Sequence, residues 1–123
     1  MAMTQRQALD LWRLALTAYV RSDESDMTAR QQAVMLTVAL SPGPHTVRGL
    51  SAELNIAKPA VTRALDVLER AGYIRRTPDE NDLRSVIIER TVQGMDWLRH
   101  FGSLILDAET GQSDPQDNRH AVA

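Results

Sequence analysis

The chain has 123 residues, 43% of them hydrophobic and 24% charged, enough for one hydrophobic core and ordinary for a globular protein, so neither general disorder nor two independent domains is expected. The formal net charge is -2 and there is no cysteine, which excludes a disulfide framework, a thiolate metal site and a thiol redox sensor. No window approaches the roughly 18 apolar residues of a membrane-spanning helix, and no basic leader precedes an apolar run, so a cytoplasmic, nucleoid-associated location with no membrane partner is expected.

From Thr4 to Arg21, Leu9, Trp12, Leu16 and Tyr19 recur at helical spacing while Leu11, Leu14, Ala15 and Ala18 fill a second stripe. A terminal helix with two apolar faces usually packs one on its own chain and the other on a partner copy, the alternative being an ordinary core helix. Ser22 to Asp26 reads as a polar linker, and Thr28 as the cap of a second helix carrying Val34, Met35, Leu36, Val38 and Leu40, which Ser41-Pro42-Gly43-Pro44 ends. His45 falls in the loop that follows. A short third helix is expected from about Thr46 to Leu54, with Val47, Leu50 and Leu54 inward.

After a tight turn at Asn55-Ile56-Ala57, a fourth helix opens on Lys58-Pro59-Ala60-Val61-Thr62-Arg63, where the proline is tolerated because first-turn amides have no helical partner. Val61, Leu65 and Leu68 form its inner face, and Gly72 terminates it. Tyr73 to Arg76 reads as a strand, Pro78 to Arg84 as a polar loop, and Ser85 to Glu89 as a second, β-branched strand. Thr91 caps a long last helix to Glu109, apolar on more than one side. Residues 111–123 are expected to form a disordered tail.

The order helix, helix, tight turn, helix, hairpin is a winged helix-turn-helix. The expected fold class is therefore mainly α with a small β-hairpin wing. One domain is expected over residues 1–110: a DNA-binding lobe at 28–90, flanked by dimerisation helices at 4–21 and 91–109. A major groove about 12 Å wide admits one α-helix, so polar and small side chains on the N-terminal turn of such a helix reach base edges. Residues 58–90 hold seven Lys or Arg against six Asp or Glu, whereas 91–123 hold two against five, which puts the positive side of the chain in this region.

Asp82-Leu83-Arg84-Ser85-Val86-Ile87-Ile88-Glu89-Arg90-Thr91-Val92-Gln93-Gly94 resembles the wing signature of the MarR family, Asp-x-Arg followed by a strand and Thr-x-x-Gly. Leu50 to Leu54, Lys58 to Arg63 and Leu68 to Ile74 resemble that family's helix-turn-helix at the same intervals. The resemblance covers about Thr28 to Gly94. It implies that Arg84 enters the minor groove while Asp82 shapes the wing, and that Lys58, Pro59, Ala60, Thr62 and Arg63 face the major groove. Arg48, Arg75 and Arg76 are the candidates for phosphate contacts.

The chain departs from the family pattern in three places. Ala57 stands where a capping serine is common, Arg90 occupies a position that is usually leucine, and the polar C-terminal residues supply no further dimerisation helix.

The resemblance implies a homodimer binding double-stranded DNA at a pseudo-palindromic site, most often as a repressor. Trp12, Tyr19, Met35, Trp97 and Phe101 could line a pocket for a small aromatic effector, although side chains of these types at helical spacing first suggest core packing. A protein-interaction module on the same fold is the alternative that the acidic net charge favours. The acidic stretch Asp79 to Asp82 lacks the ligand spacing of a calcium loop, and His45, His100 and His120 are scattered, so no metal site or cofactor is expected. No nucleophile motif or phosphate-cradling glycine loop is present, so an enzyme is not expected.

Overall fold

The computed structural model describes residues 2–113. Five helices and one hairpin follow in the order α1 (Gln5–Arg21), α2 (Ala29–Leu40), α3 (Val47–Leu54), α4 (Lys58–Arg70), β1 (Ile74–Asp79), β2 (Asp82–Arg90) and α5 (Val92–Ser113). Two compact units are defined by the chain's internal packing, one of residues 27–97 and one of residues 1–26 with those from Leu98 onward.

In the unit of residues 27–97, α2 starts at a capping box: Thr28 Oγ1 accepts from Gln31 N at 3.1 Å and Gln31 Oε1 accepts from Thr28 N at 3.0 Å, an arrangement worth about 1 kcal/mol. The helix stops at Ser41, extended at φ -100° and ψ 156°, because the following proline disfavours helical geometry in the residue before it. His45, expected in a loop, instead bridges to Ile88 in antiparallel fashion, with Ile88 N donating to His45 O at 2.9 Å. A single bridging residue has no alternation from which a strand could be read.

Thr46 caps α3, accepting from Gly49 N at 3.0 Å, and Asn55 ends it in the left-handed region at φ 54°, which asparagine tolerates better than most residues. Ser51 fixes the turn to α4: its hydroxyl donates to Ile56 O at 2.6 Å while its carbonyl accepts from Ile56 N at 3.2 Å. At the other end of α4, Gly72 (φ 85°) makes the left-handed step, and Gly72 N and Tyr73 N donate to Glu69 O and Leu68 O, both at 2.9 Å. That pair of bonds is a Schellman closure. Val34, Met35, Leu50, Val61, Leu65, Leu68, Ile74 and Ile88 are almost wholly buried in this unit.

The hairpin is longer and tighter than the expected polar loop allows. β1 runs to Asp79 and β2 starts at Asp82, leaving Glu80 and Asn81 as the turn. Pro78 pairs with Val86 and Asp79 with Asp82, so residues 83–85 bulge out of the ladder. The tip covers no core, so its residues carry none of the alternation by which a strand is recognised.

Thr91 begins α5, its hydroxyl accepting from Gly94 N at 3.0 Å and donating to Gly72 O. Trp97 lies 5.9 Å from Tyr73, ring centre to ring centre. In the other unit a second capping box opens α1: Thr4 Oγ1 accepts from Gln7 N at 3.1 Å and Gln7 Oε1 from Thr4 N at 2.8 Å. Phe101 meets Trp12 and Tyr19 edge-on at 6.0 and 5.7 Å. Ala15 and Tyr19 are buried, while Leu9, Trp12, Val20 and Leu106 are exposed, so one apolar surface of this unit is left uncovered. α5 extends four residues beyond the expected Glu109, which makes the start of the expected tail helical. The rest of that tail lies outside the described residues.

Candidate nucleic-acid interface

α4 has a dry side and a wet side. At 100° per residue, Ala60, Val61, Ala64, Leu65 and Leu68 occupy one side and all are buried. Lys58, Pro59, Thr62 and Arg63 fall within an arc of about 140° on the other, and all four are exposed. Ala60, expected to face the major groove, is therefore corrected to the inner side: it is 8% exposed, because two turns of apolar packing against α2 and α3 need that position. Ala57 precedes the helix with no side-chain cap bond, and no acidic residue lies in the first turn, so the positive end of the helix dipole is left uncompensated beside Lys58.

The wing brings further cations to this end of α4. A groove of about 400 Å³ is lined by Thr46, Arg48, Lys58, Asp82, Arg84 and Val86, among others, so α3, α4 and β2 contribute one cation each around a single carboxylate. That carboxylate is already occupied. Asp82 accepts from Arg84 N at 3.1 Å and lies 3.5 Å from the Ser85 hydroxyl, which fixes the backbone of the bulge and the start of the Arg84 side chain. On the neighbouring flank of α4, a notch of about 270 Å³ is lined by Arg63 together with Thr28, Arg30 and Gln31. Arg30 was not among the expected contacts. Its signal was a cation in the first turn of a helix that has no acidic residue there, a placement the helix dipole disfavours.

The two arginines of β1 differ from each other. Arg75 faces Glu89 across the ladder at 3.3 Å, an exposed pair that holds little energy. Arg76 is not a free cation. Its Nη2 lies 2.8 Å from Asp66 Oδ1 and 2.6 Å from Glu69 Oε1, its Nε donates to Glu69 at 3.0 Å, and its backbone N also donates to Glu69. The expectation that Arg76 contacts phosphate is corrected accordingly: it pairs with two carboxylates on the outer side of α4, whose combined charge it only half cancels, and ties that helix to the wing. Arg90, at the family's usual leucine position, donates to Ala39 O at 2.7 Å, so its charge is turned to a helix C-terminus, where a cation is favoured.

The Arg76 side-chain hydrogen bond holds the Glu69 carboxyl below its ordinary 4.5, and Glu69 and then Asp66 hold the proton on Arg76 more firmly. A lowered carboxyl pKa stabilises the fold fully above the unfolded value and is lost as pH falls through the folded one. Acidification below pH 4.5 should therefore cost the wild type more thermal stability than Arg76→Ala, which has already lost the clamp. Melting curves from pH 7 down to acid check this, and equal acid sensitivity in both proteins would contradict the assignment.

The residues expected to line an effector pocket divide between the units: Trp12, Tyr19 and Phe101 form the aromatic cluster of one, while Met35 and Trp97 are buried in the other at 0 and 3% exposure.

A helix-turn-helix followed by a hairpin, with cations from three elements at its open end, defines a winged helix-turn-helix protein. Residues 28–86 match the model of the MarR family, and over that stretch the chain is similar to members of the family. It is 31% identical over 87 residues to the HTH-type regulator YwhA of Bacillus subtilis, covering 65% of this chain and 63% of that one. To the transcriptional regulator PecS of Dickeya dadantii it is 34% identical over 70 residues, covering 55 and 42%. The chain thus spans less than two thirds of either relative. Among solved structures, the fold is shared with MepR of S. aureus, determined as a DNA complex, at a TM-score of 0.71 and 20% identity over 95% of this chain and 94% of that one. Among the described residues no helix is long and apolar enough to cross a membrane.

Proposed function

We propose that the chain is a sequence-specific, double-stranded DNA-binding transcriptional regulator that acts as a homodimer and represses by occupying a pseudo-palindromic operator. The observation that carries this reading is the convergence of Arg48, Lys58 and Arg84, from α3, α4 and the wing, on one groove beside the exposed N-terminal side of α4. Lys58, Pro59, Thr62 and Arg63 enter the major groove, Arg84 the adjacent minor groove, and Arg48 meets phosphate. Arg30 joins Arg63 on the second flank, which lengthens the positive strip along α4. The names of the relatives, which are transcriptional regulators, and the DNA bound to a structural neighbour support the same reading.

Dimerisation is supported by the apolar surface left on α1 and the far part of α5, where Leu9, Val20 and Leu106 are 65 to 71% exposed. The two α4 helices of such a dimer would have to meet half-sites one helical turn of DNA apart, roughly 34 to 36 Å. The net charge of -2 does not oppose the reading, because charge is unevenly distributed and the groove gathers three cations around one carboxylate. Titration of a duplex across a salt series tests it. The affinity of a protein that neutralises phosphates falls linearly on a log–log plot, and binding insensitive to salt would refute the reading.

A further inference from the structure

We propose that Leu83 is an apolar wedge, carried at the wing tip into the minor groove, where it opens a base step next to the Arg84 contact. The inference rests on the DNA-binding reading above. Leu83 is 88% exposed, more than any other large hydrophobic residue among those described. A lone exposed leucine is ordinary on a protein surface, so its placement has to carry the argument. It stands in the three-residue bulge 83–85, which has no cross-strand partner, directly between Asp82 and Arg84. Turn and bulge positions favour Gly, Asn, Asp and Ser, and nothing in the hairpin's own packing calls for leucine there.

The bulge is also held. Asp82 accepts from Arg84 N at 3.1 Å and lies 3.5 Å from the Ser85 hydroxyl, so the isobutyl group is offered on a fixed backbone rather than a loose loop. Leu83 does not itself line the groove that holds Arg48 and Lys58, but both its neighbours, Asp82 and Arg84, do, so a wing tip drawn to the duplex by those cations carries Leu83 with it. Minor-groove proteins insert leucine and other apolar side chains between partially unstacked bases. The cost of unstacking is lowest at pyrimidine–purine steps, which gives a preference for deformable sequence at positions that no side chain hydrogen-bonds.

The test uses the full-length chain and the tightest-binding duplex selected from a random pool, with 2-aminopurine placed at successive positions of the flank that each wing reaches. Wild-type binding should raise the 2-aminopurine fluorescence at one step. Leu83→Ala should bind about five- to tenfold more weakly, lose the fluorescence rise, and keep the wild-type salt slope, since leucine neutralises no phosphate. Leu83→Met should restore both affinity and fluorescence. Wild-type affinity and an unchanged fluorescence signal in Leu83→Ala would overturn the wedge while leaving DNA binding intact. Absence of salt-dependent binding by the wild type would overturn both.

Discussion

Gly94→Ala is expected to destabilise the protein by about 3 kcal/mol and to lower its melting temperature on the order of 10 °C. Helix propensity alone argues the other way, since alanine is better than glycine inside a helix by about 0.8 to 1 kcal/mol. Steric overlap decides the sign. A Cβ at Gly94 would overlap the Tyr73 carbonyl oxygen and approach Met35 Cε to 3.0 Å. The carbonyl cannot retreat cheaply, because it accepts from Thr91 N at 3.1 Å at the junction of wing and helix, and Met35 is wholly buried. Gly102 is the internal control. It lies in the same helix with nothing within 4 Å of the added carbon, so Gly102→Ala should be neutral or stabilising. Thermal unfolding of the two variants checks the pair, and a Gly94→Ala protein as stable as wild type would show that α5 does not approach the wing strand as described.

Arg63→Ala should weaken binding to a selected operator by about 1 to 3 kcal/mol, roughly 5- to 150-fold, and relax sequence preference, as expected for removal of a bidentate bond to a base. Its position favours readout over phosphate contact: it is exposed on the same arc of α4 as Lys58 and Thr62, and no ion pair among the described residues holds it. Affinity measured on selected and on random duplex separates the two roles. Equal losses on both would remove Arg63 from base recognition and leave it a phosphate ligand beside Arg30.

The elements were legible where local chemistry and periodicity agreed. Thr4, Thr28, Thr46 and Thr91 mark four helix starts, and Gly72 one helix end, because a cap is a matter of a few neighbouring residues. The inner side of α4 was also written in the spacing of Ala60, Val61, Ala64, Leu65 and Leu68, and Ala60 was misplaced only because a motif was read ahead of that period. Long-range partners were less legible. The Arg76 clamp joins residues seven and ten positions apart across a helix end and a strand start, and neither partner shows locally that it is taken. The single bridging residue His45 and the partnerless tip of the wing carry no periodicity at all. Of the candidate interface, the cations were visible in the sequence, but which of them are spent internally was not, since that depends on how α4, β1 and β2 come together.

The central claim is that Arg48, Lys58 and Arg84 form one duplex-facing surface, and the salt dependence of duplex binding tests it most directly. With all three replaced by alanine, the log–log slope should shrink by about 0.9 for each phosphate no longer neutralised, up to roughly 2.7 in total, while the melting temperature stays near that of the wild type. A folded triple variant that retained the wild-type slope and affinity would contradict the claim.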